Sequence, residues 1–297
     1  MVGLGSMSPV AAILAGVAAG VCLTISAQRD VPVVRIGLAS SVLLLGLNLS
    51  WFAPSVIGGH PPRPPGAVSV RVMTINMLGG RGDAVRIVSA ARQADVDILV
   101  ATEITDGGLR NLQDAGVSRV LPYRYGATAP SPAGTMVFLR GGAYQVVPLR
   151  TRLHAMTLTT TVRAHRIRLL AAHPAAPTDF ALWRSDLRLI TEAAASASVD
   201  LLIGDLNATT DNKPLRDLMT RGRLRDAAEL ANIGWEPTFP ANGVRRRLGI
   251  PIPAILQIDH VLVRNDGGAD GVRLVGVPGT DHAGLIADVW IPATDRT

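Results

Sequence analysis

Gly204-Asp205-Leu206-Asn207-Ala208 follows the apolar run Leu201–Ile203, and two similar clusters come later, Ile258-Asp259-His260-Val261 and Thr280-Asp281-His282. Each places acidic, amide or imidazole groups at the end of a short apolar stretch. Asp and Asn are poor strand formers, so their recurrence beside β-forming runs calls for a shared reason. A β-sheet scaffold that presents polar groups at one rim supplies it. The chemistry expected there is a site that holds a hard cation and moves protons.

Working outward, Val68–Ile75 is rich in β-branched residues and alternates, which predicts a strand ending at Asn76. Asp83 is a good N-cap for a helix from Ala84 to Ala94. Ile98–Ala101 reads as a short buried strand with Glu103 just past it. A second helix is expected over Gly108–Ala115. Thr135–Leu139, Gln145–Leu149, Met156–Val162 and Ile167–Ala172 read as successive strands, the last leading to His173. A helix from Asp179 to Ala195 precedes the Leu201–Ile203 strand, with short helices around Pro214–Thr220 and Asp226–Ala231. Asn232–Leu256 reads as a long irregular loop before two final strands, Ile258–Val263 and Leu285–Trp290. Consecutive strands mixed with a few helices argue for a layered α/β sandwich, with sheets face to face and helices outside, rather than a doubly wound parallel sheet.

The N-terminal fifth differs. Pro9–Ala27 and Ile36–Ile57 are apolar runs, long enough to read as transmembrane helices, which need about 20 residues. A signal peptide and a buried helical hairpin are the alternatives. Trp51 and Phe52 suit an interfacial anchor, and Arg29, Asp30 and Arg35 lie between the runs. The expectation is therefore a multi-pass protein of the cell membrane, its connecting loop cytoplasmic and its C-terminal domain extracytoplasmic. Residues 1–57 form the anchor. Residues 58–67, with His60-Pro61-Pro62-Arg63-Pro64-Pro65-Gly66, form a stiff linker. Residues 68–297 form the catalytic domain.

Of the 297 residues, 48% are hydrophobic and 4% aromatic, and the net charge is +6, with Lys213 the only lysine. The positive charge suits anionic partners: nucleic acid, phosphorylated metabolites or lipid headgroups. Cys22 is the single cysteine, which excludes an intrachain disulfide and thiol chemistry in the C-terminal domain.

Asn76, Glu103, His173 in Ala-Ala-His-Pro, Gly-Asp-Leu-Asn at 204–207, Ile-Asp-His at 258–260 and Thr-Asp-His at 280–282 stand in an order that resembles the endonuclease/exonuclease/phosphatase superfamily. The resemblance covers Val68 to the C-terminus and implies a four-layered, DNase I-like α/β sandwich with metal-dependent phosphoester hydrolysis. The apolar runs, the Pro-rich linker and Pro237-Thr238-Phe239-Pro240 resemble membrane-tethered actinobacterial members associated with glycopeptide resistance. That narrower likeness implies a polyprenyl pyrophosphate or related lipid phosphate as substrate, with a DNA phosphodiesterase as the alternative and an inactive envelope scaffold as a third reading.

The resemblance also implies roles. Glu103 ligates Mg²⁺ (or Mn²⁺), with Asn76 beside it and Asp281 joining. Asp205 and Asn207 orient the attacking water and a phosphoryl oxygen. His282 is the general base, Asp259 holds its tautomer, and His173 donates to a phosphate oxygen or the leaving group. Mg²⁺ favours oxygen ligands and often uses one or two carboxylates, and an imidazole titrates near working pH. Arg245-Arg246-Arg247 is the candidate clamp for pyrophosphate or anionic headgroups at the membrane surface, with a solvated basic turn as the bland reading. His260 is expected to point away from Asp259 and to be structural. His154 and His165 read as surface residues. The small residues of Ser131-Pro132-Ala133-Gly134 and the scarcity of aromatic platforms speak against duplex and single-stranded DNA as substrate.

Overall fold

Alternation along the first two strands of the C-terminal domain builds two cores at once. In β1 (Val68–Asn76), Val70 and Val72 face one way, while Met73 and Ile75 face the other. In β2 (Ile98–Thr102), Ile98 and Val100 oppose Leu99 and Ala101 in the same manner. Successive strand residues point to opposite faces, so a strand that is apolar throughout is buried on both. The computed structural model describes residues 8–28, 32–58 and 61–293.

Two helices open the chain, α1 (Ser8–Gln28) and α2 (Pro32–Ile57). After β1 come α3 (Ala84–Gln93), β2, α4 (Asp106–Asp114), α5 (Val117–Val120), β3 (Tyr123–Ala127) and β4 (Thr135–Leu139). Then follow β5 (Ala143–Leu149), β6 (Ala155–Val162), β7 (His165–Ala171), α6 (Phe180–Ala197) and β8 (Leu201–Asp205). The chain continues through α7 (Lys213–Gly222), β9 (Leu224–Asp226), α8 (Ala227–Leu230) and a small hairpin, β10 (Arg246–Arg247) with β11 (Ile250–Pro251). It ends with β12 (Asp259–Arg264), β13 (Gly268–Val275) and β14 (Gly284–Ile291).

Two six-stranded sheets result, ordered β13-β14-β1-β2-β4-β3 and β5-β6-β7-β8-β12-β9. One apolar layer between them includes Val72, Val100, Val137, Leu169, Ile203 and Val261. Helices α3, α4 and α5 cover the outer face of the first sheet through Ile87, Leu112 and Val117. Helices α6 and α7 cover the second through Trp183, Leu187, Leu215 and Leu218. The expected four-layered sandwich is thus the observed one.

The topology brings the polar clusters to one rim. β1 and β2 are parallel, as are β7 and β8, so within each pair both strands end on the same side. β12 runs antiparallel to β8 with Asp259 opposite Asp205, so it begins where β8 ends. β14 runs antiparallel to β1, pairing Leu285 with Thr74, so His282 lies just before its first strand residue at that rim.

Among the described residues no helix is long and apolar enough to cross a membrane. This overturns the expectation of two transmembrane helices and with it the multi-pass membrane localisation and extracytoplasmic placement. The uninterrupted apolar runs are shorter than the helices that contain them. Thr24 follows Leu23 in α1, and Arg35, Ser40, Ser41, Asn48 and Ser50 punctuate α2. Thr24, Asn48 and Ser50 turn their side chains back onto the carbonyls of Val21, Leu44 and Leu47. Arg29, Asp30 and His60, and the side chains of Trp51 and Phe52, lie outside the described residues.

Candidate active site

Asp205 stands at the centre of the rim. Its Oδ2 accepts from Asn76 Nδ2 at 2.9 Å, and its Oδ1 accepts from the Asn207 backbone N–H at 2.9 Å. The same carboxylate lies 3.7 Å from His173 Nε2 and 3.8 Å from His282 Nε2. Burial, and next the negative charge of Asp259, raise the Asp205 pKa, while both histidines and the Asn76 hydrogen bond work against that. The cluster is therefore crowded with acid, and a positive charge placed within it would be stabilised.

Asn76 ties this centre to Glu103. Its Nδ2 also donates to Glu103 Oε1 at 3.0 Å, and its Oδ1 accepts from the Leu78 backbone at 2.9 Å. Ser131 Oγ donates to Glu103 Oε2 at 3.2 Å. Glu103 has φ of 52° and Asn207 of 49°, left-handed values that side-chain-bearing residues seldom adopt. Strain of that kind gathers at functional sites, and here it sits on two residues that border the centre. Asn207 lies beyond the end of β8, so strand alternation with Asp205 does not aim it. The turn does, and its Nδ2 donates to the Pro174 carbonyl at 3.1 Å.

His282 Nδ1 lies 2.8 Å from Asp259 Oδ2, with both groups buried. Burial alone would lower the His282 pKa. The charges of Asp259 and Asp205 outweigh it and raise the pKa to about 9. In the cation-free protein this imidazole therefore holds a proton at neutral pH. Phe239 packs against the ring, with centroids 4.9 Å apart. Thr280 Oγ1 donates to the Asn76 carbonyl at 2.7 Å and accepts from the His282 N–H at 3.2 Å, which fixes the Thr-Asp-His segment on the end of β1. His260 turns away from Asp259, as expected. Its Nδ1 is 2.6 Å from Asp226 Oδ2 and its Nε2 is 2.8 Å from the Ala208 carbonyl.

The donor set fits a hard cation. Glu103, Asp205 and Asp281 supply carboxylate oxygens, and Asp281 Oδ1 and Asp259 Oδ1 are buried without a hydrogen-bond partner among the described residues. Asp205, Asp259 and His282 bring one ligand atom each within 4.8 Å of one another. The Asp259–His282 hydrogen bond suits those two to proton transfer, and Glu103 and Asp281 offer further carboxylate oxygens in the same cleft. His173 Nδ1 is likewise buried and unpartnered among the described residues.

These residues border a cleft of about 700 Å³. Glu103, His173, Asp205, Asn207, Asp281, His282 and Arg245 line it, together with the apolar Leu153, Ala176, Pro177, Phe239, Ile255 and Leu256. Of the arginine triplet, only Arg245 is among the lining residues. Arg246 and Arg247 form the exposed hairpin strand, and Arg246 donates to the Gly249 carbonyl. Sequence reasoning passed over Ser131 as merely small, and nothing in the sequence marks Leu153 or Ile255 as cleft residues.

Residues 73–282 match the family described as the Endonuclease/Exonuclease/phosphatase family. No curated protein matches the chain. Among solved structures, D. rerio TDP2 complexed with single strand DNA product is similar with a TM-score of 0.61 at 14% identity, covering 75% of this chain and 99% of that one. An endonuclease/exonuclease/phosphatase from Beutenbergia cavernae gives a TM-score of 0.55 at 19% identity, covering 74% and 71%. Beta toxin from Staphylococcus aureus gives 0.53 at 12% identity, covering 73% and 99%. At these identities the likeness is one of fold.

Proposed function

The chain belongs to the endonuclease/exonuclease/phosphatase family and is a metal-dependent phosphoester hydrolase, and on that premise we propose that it cleaves a phosphoester or pyrophosphate bond of a lipid phosphate such as a polyprenyl pyrophosphate. The observation that carries this reading is the juxtaposition, in one cleft, of the acid–imidazole centre with an apolar wall of Leu153, Ala176, Pro177, Phe239, Ile255 and Leu256. A hydrocarbon next to the scissile phosphate gains from such a wall, at roughly 25 cal/mol per Å² buried. The likeness of Pro237-Thr238-Phe239-Pro240 to glycopeptide-resistance-associated members supports the same substrate class.

Glu103, with Asn76 beside it and Asp281, would hold Mg²⁺, with Mn²⁺ as a substitute. When bound, the cation neutralises charge on the phosphoryl oxygens. The chain's own groups do the rest. Asp205 and Asn207 orient the attacking water. In its neutral form His282 accepts the water proton at Nε2, and Asp259 holds the Nδ1–H. His173, beside Asp205, donates to a phosphoryl oxygen or to the leaving group. Acid–base assistance of this kind contributes about 10²–10⁴-fold.

A nucleic-acid phosphodiesterase is the second reading, favoured by the likeness to a TDP2 structure that holds a DNA product. One experiment separates the two. The full chain is assayed with Mg²⁺ for phosphate release from a polyprenyl pyrophosphate and for plasmid cleavage, with His282→Ala as control. Phosphate release that needs His282, with the plasmid intact, supports the lipid reading. Plasmid cleavage without phosphate release overturns it.

A further inference from the structure

Arg245 holds a buried acid from an exposed position. Its Nε donates to Asp281 Oδ2 at 2.6 Å. The Asp281 side chain is 1% exposed and that of Arg245 is 55% exposed. The other oxygen, Asp281 Oδ1, has no hydrogen-bond partner among the described residues. A buried carboxylate left without a cationic neighbour is costly, so Asp281 needs some positive charge at all times. The guanidinium, by contrast, stands half in water, so it can exchange this partner for another without itself leaving a buried site.

The loop before Arg245 has anchors of its own. The Ala241 N–H donates to the Asp281 carbonyl at 2.7 Å. Asn242 Nδ2 donates to the carbonyls of Thr280 and His282 at 3.0 and 2.7 Å. The loop just before the arginine is thus tied to the segment that carries Asp281 and His282, while the guanidinium lies over the Phe239 ring, Cζ 5.9 Å from the centroid. Arg245 borders the same cleft as Glu103, His173 and Asp205. A planar guanidinium freed there suits an anionic phosphate, which it can engage with two parallel hydrogen bonds.

We infer that Arg245 and a divalent cation are alternative partners of Asp281: the guanidinium neutralises the carboxylate in the cation-free protein and is released to the substrate's anionic group when the cation takes its place. This rests on the proposed reading of Asp281 as a cation ligand. Cation and phosphate ligand then bind cooperatively, because arrival of the first frees the arm that grips the second. Arg245 is in this account a substrate-binding residue whose availability the cation sets.

The test is Mn²⁺ binding to the full chain, measured by calorimetry with and without inorganic pyrophosphate. Wild type is compared with Arg245→Ala, Arg245→Gln and Glu103→Gln. Arg245→Ala is expected to bind Mn²⁺ about fivefold more tightly, the equivalent of one partly exposed ion pair. It should bind pyrophosphate more weakly, and Mn²⁺ should strengthen that binding less than in wild type. Arg245→Gln keeps a polar side chain without the charge and should behave likewise, which covers a failure of the alanine variant to fold. Unchanged or weaker Mn²⁺ affinity in both arginine variants, with Mn²⁺ binding lost in Glu103→Gln, overturns the exchange and leaves the cation site standing. Wild-type Mn²⁺ affinity in Glu103→Gln overturns the cation site itself.

Discussion

His282 and Asp259 share a 2.8 Å hydrogen bond although they belong to different sheets: Asp259 opens β12 of the second, and His282 precedes β14 of the first. The relay therefore exists only when the sandwich is closed. Its geometry is set by the apolar layer between the sheets, where Val72, Ala287, Ile203 and Val261 meet.

That pairing fixes a titration. In the cation-free protein the His282 ring should titrate with a midpoint of about 9. Asp259→Asn removes the charge that raises it most and should bring the midpoint down. Addition of Mg²⁺ should also lower it, since a nearby positive charge disfavours the imidazolium. Imidazole NMR shifts recorded against pH would show this, and a wild-type midpoint near 6 without cation would refute the assignment.

Stability should follow the same sign. A folded-state pKa of about 9 against 6.5 unfolded means the His282 contribution is fully present below pH 6.5 and is lost as pH rises toward 9. His260 acts in the same direction: burial lowers its pKa, but hydrogen bonding to Asp226 outweighs that and raises it. Denaturant midpoints of the cation-free chain should fall from pH 6.5 to 9. The slope should flatten in Asp226→Asn, and equal slopes in the two proteins would count against the His260 pair.

Asp205→Ala and His282→Ala should each lower kcat by about 10²–10⁴-fold while leaving the far-UV circular dichroism unchanged. Hydrolysis that survives either change at near wild-type rate would defeat the roles given to both.

Gly204 should not tolerate a side chain. Its φ is 150°, and an added Cβ would fall 2.0 Å from the Ala172 carbonyl oxygen. Gly204→Ala should cost about 2 kcal/mol or more, combining backbone strain with overpacking. It should also disturb Asp205 next door, so thermal unfolding and cation affinity are expected to fall together. A variant as stable as wild type would mean that β7 and β8 separate more easily than their packing suggests.

Much of this protein is legible from sequence. The strand ends at Asn76, Asp205 and Asp259, the helix caps at Asp83 and Asp179, and the layered sandwich follow from local signals: apolar alternation, capping residues and polar groups at strand termini. The strands Tyr123–Ala127 and Gly268–Val275 were not legible. The first is mostly exposed, the second is interrupted by Gly268, Asp270, Gly271 and Arg273, and each is made a strand by its neighbour's ladder rather than by its own pattern. The N-terminal runs misled because polar residues within each helix leave it without a stretch long and apolar enough to cross a membrane. Within the site, residue types and order marked Glu103, His173, Asp205 and His282. Only the tertiary structure decided that Asn76 bridges two carboxylates, that Arg245 parts company with Arg246 and Arg247, and that Phe239 and Ile255 wall the cleft. The reason is physical. A sequence records which groups end each strand, but distances between groups on two facing sheets depend on how the layer between them packs.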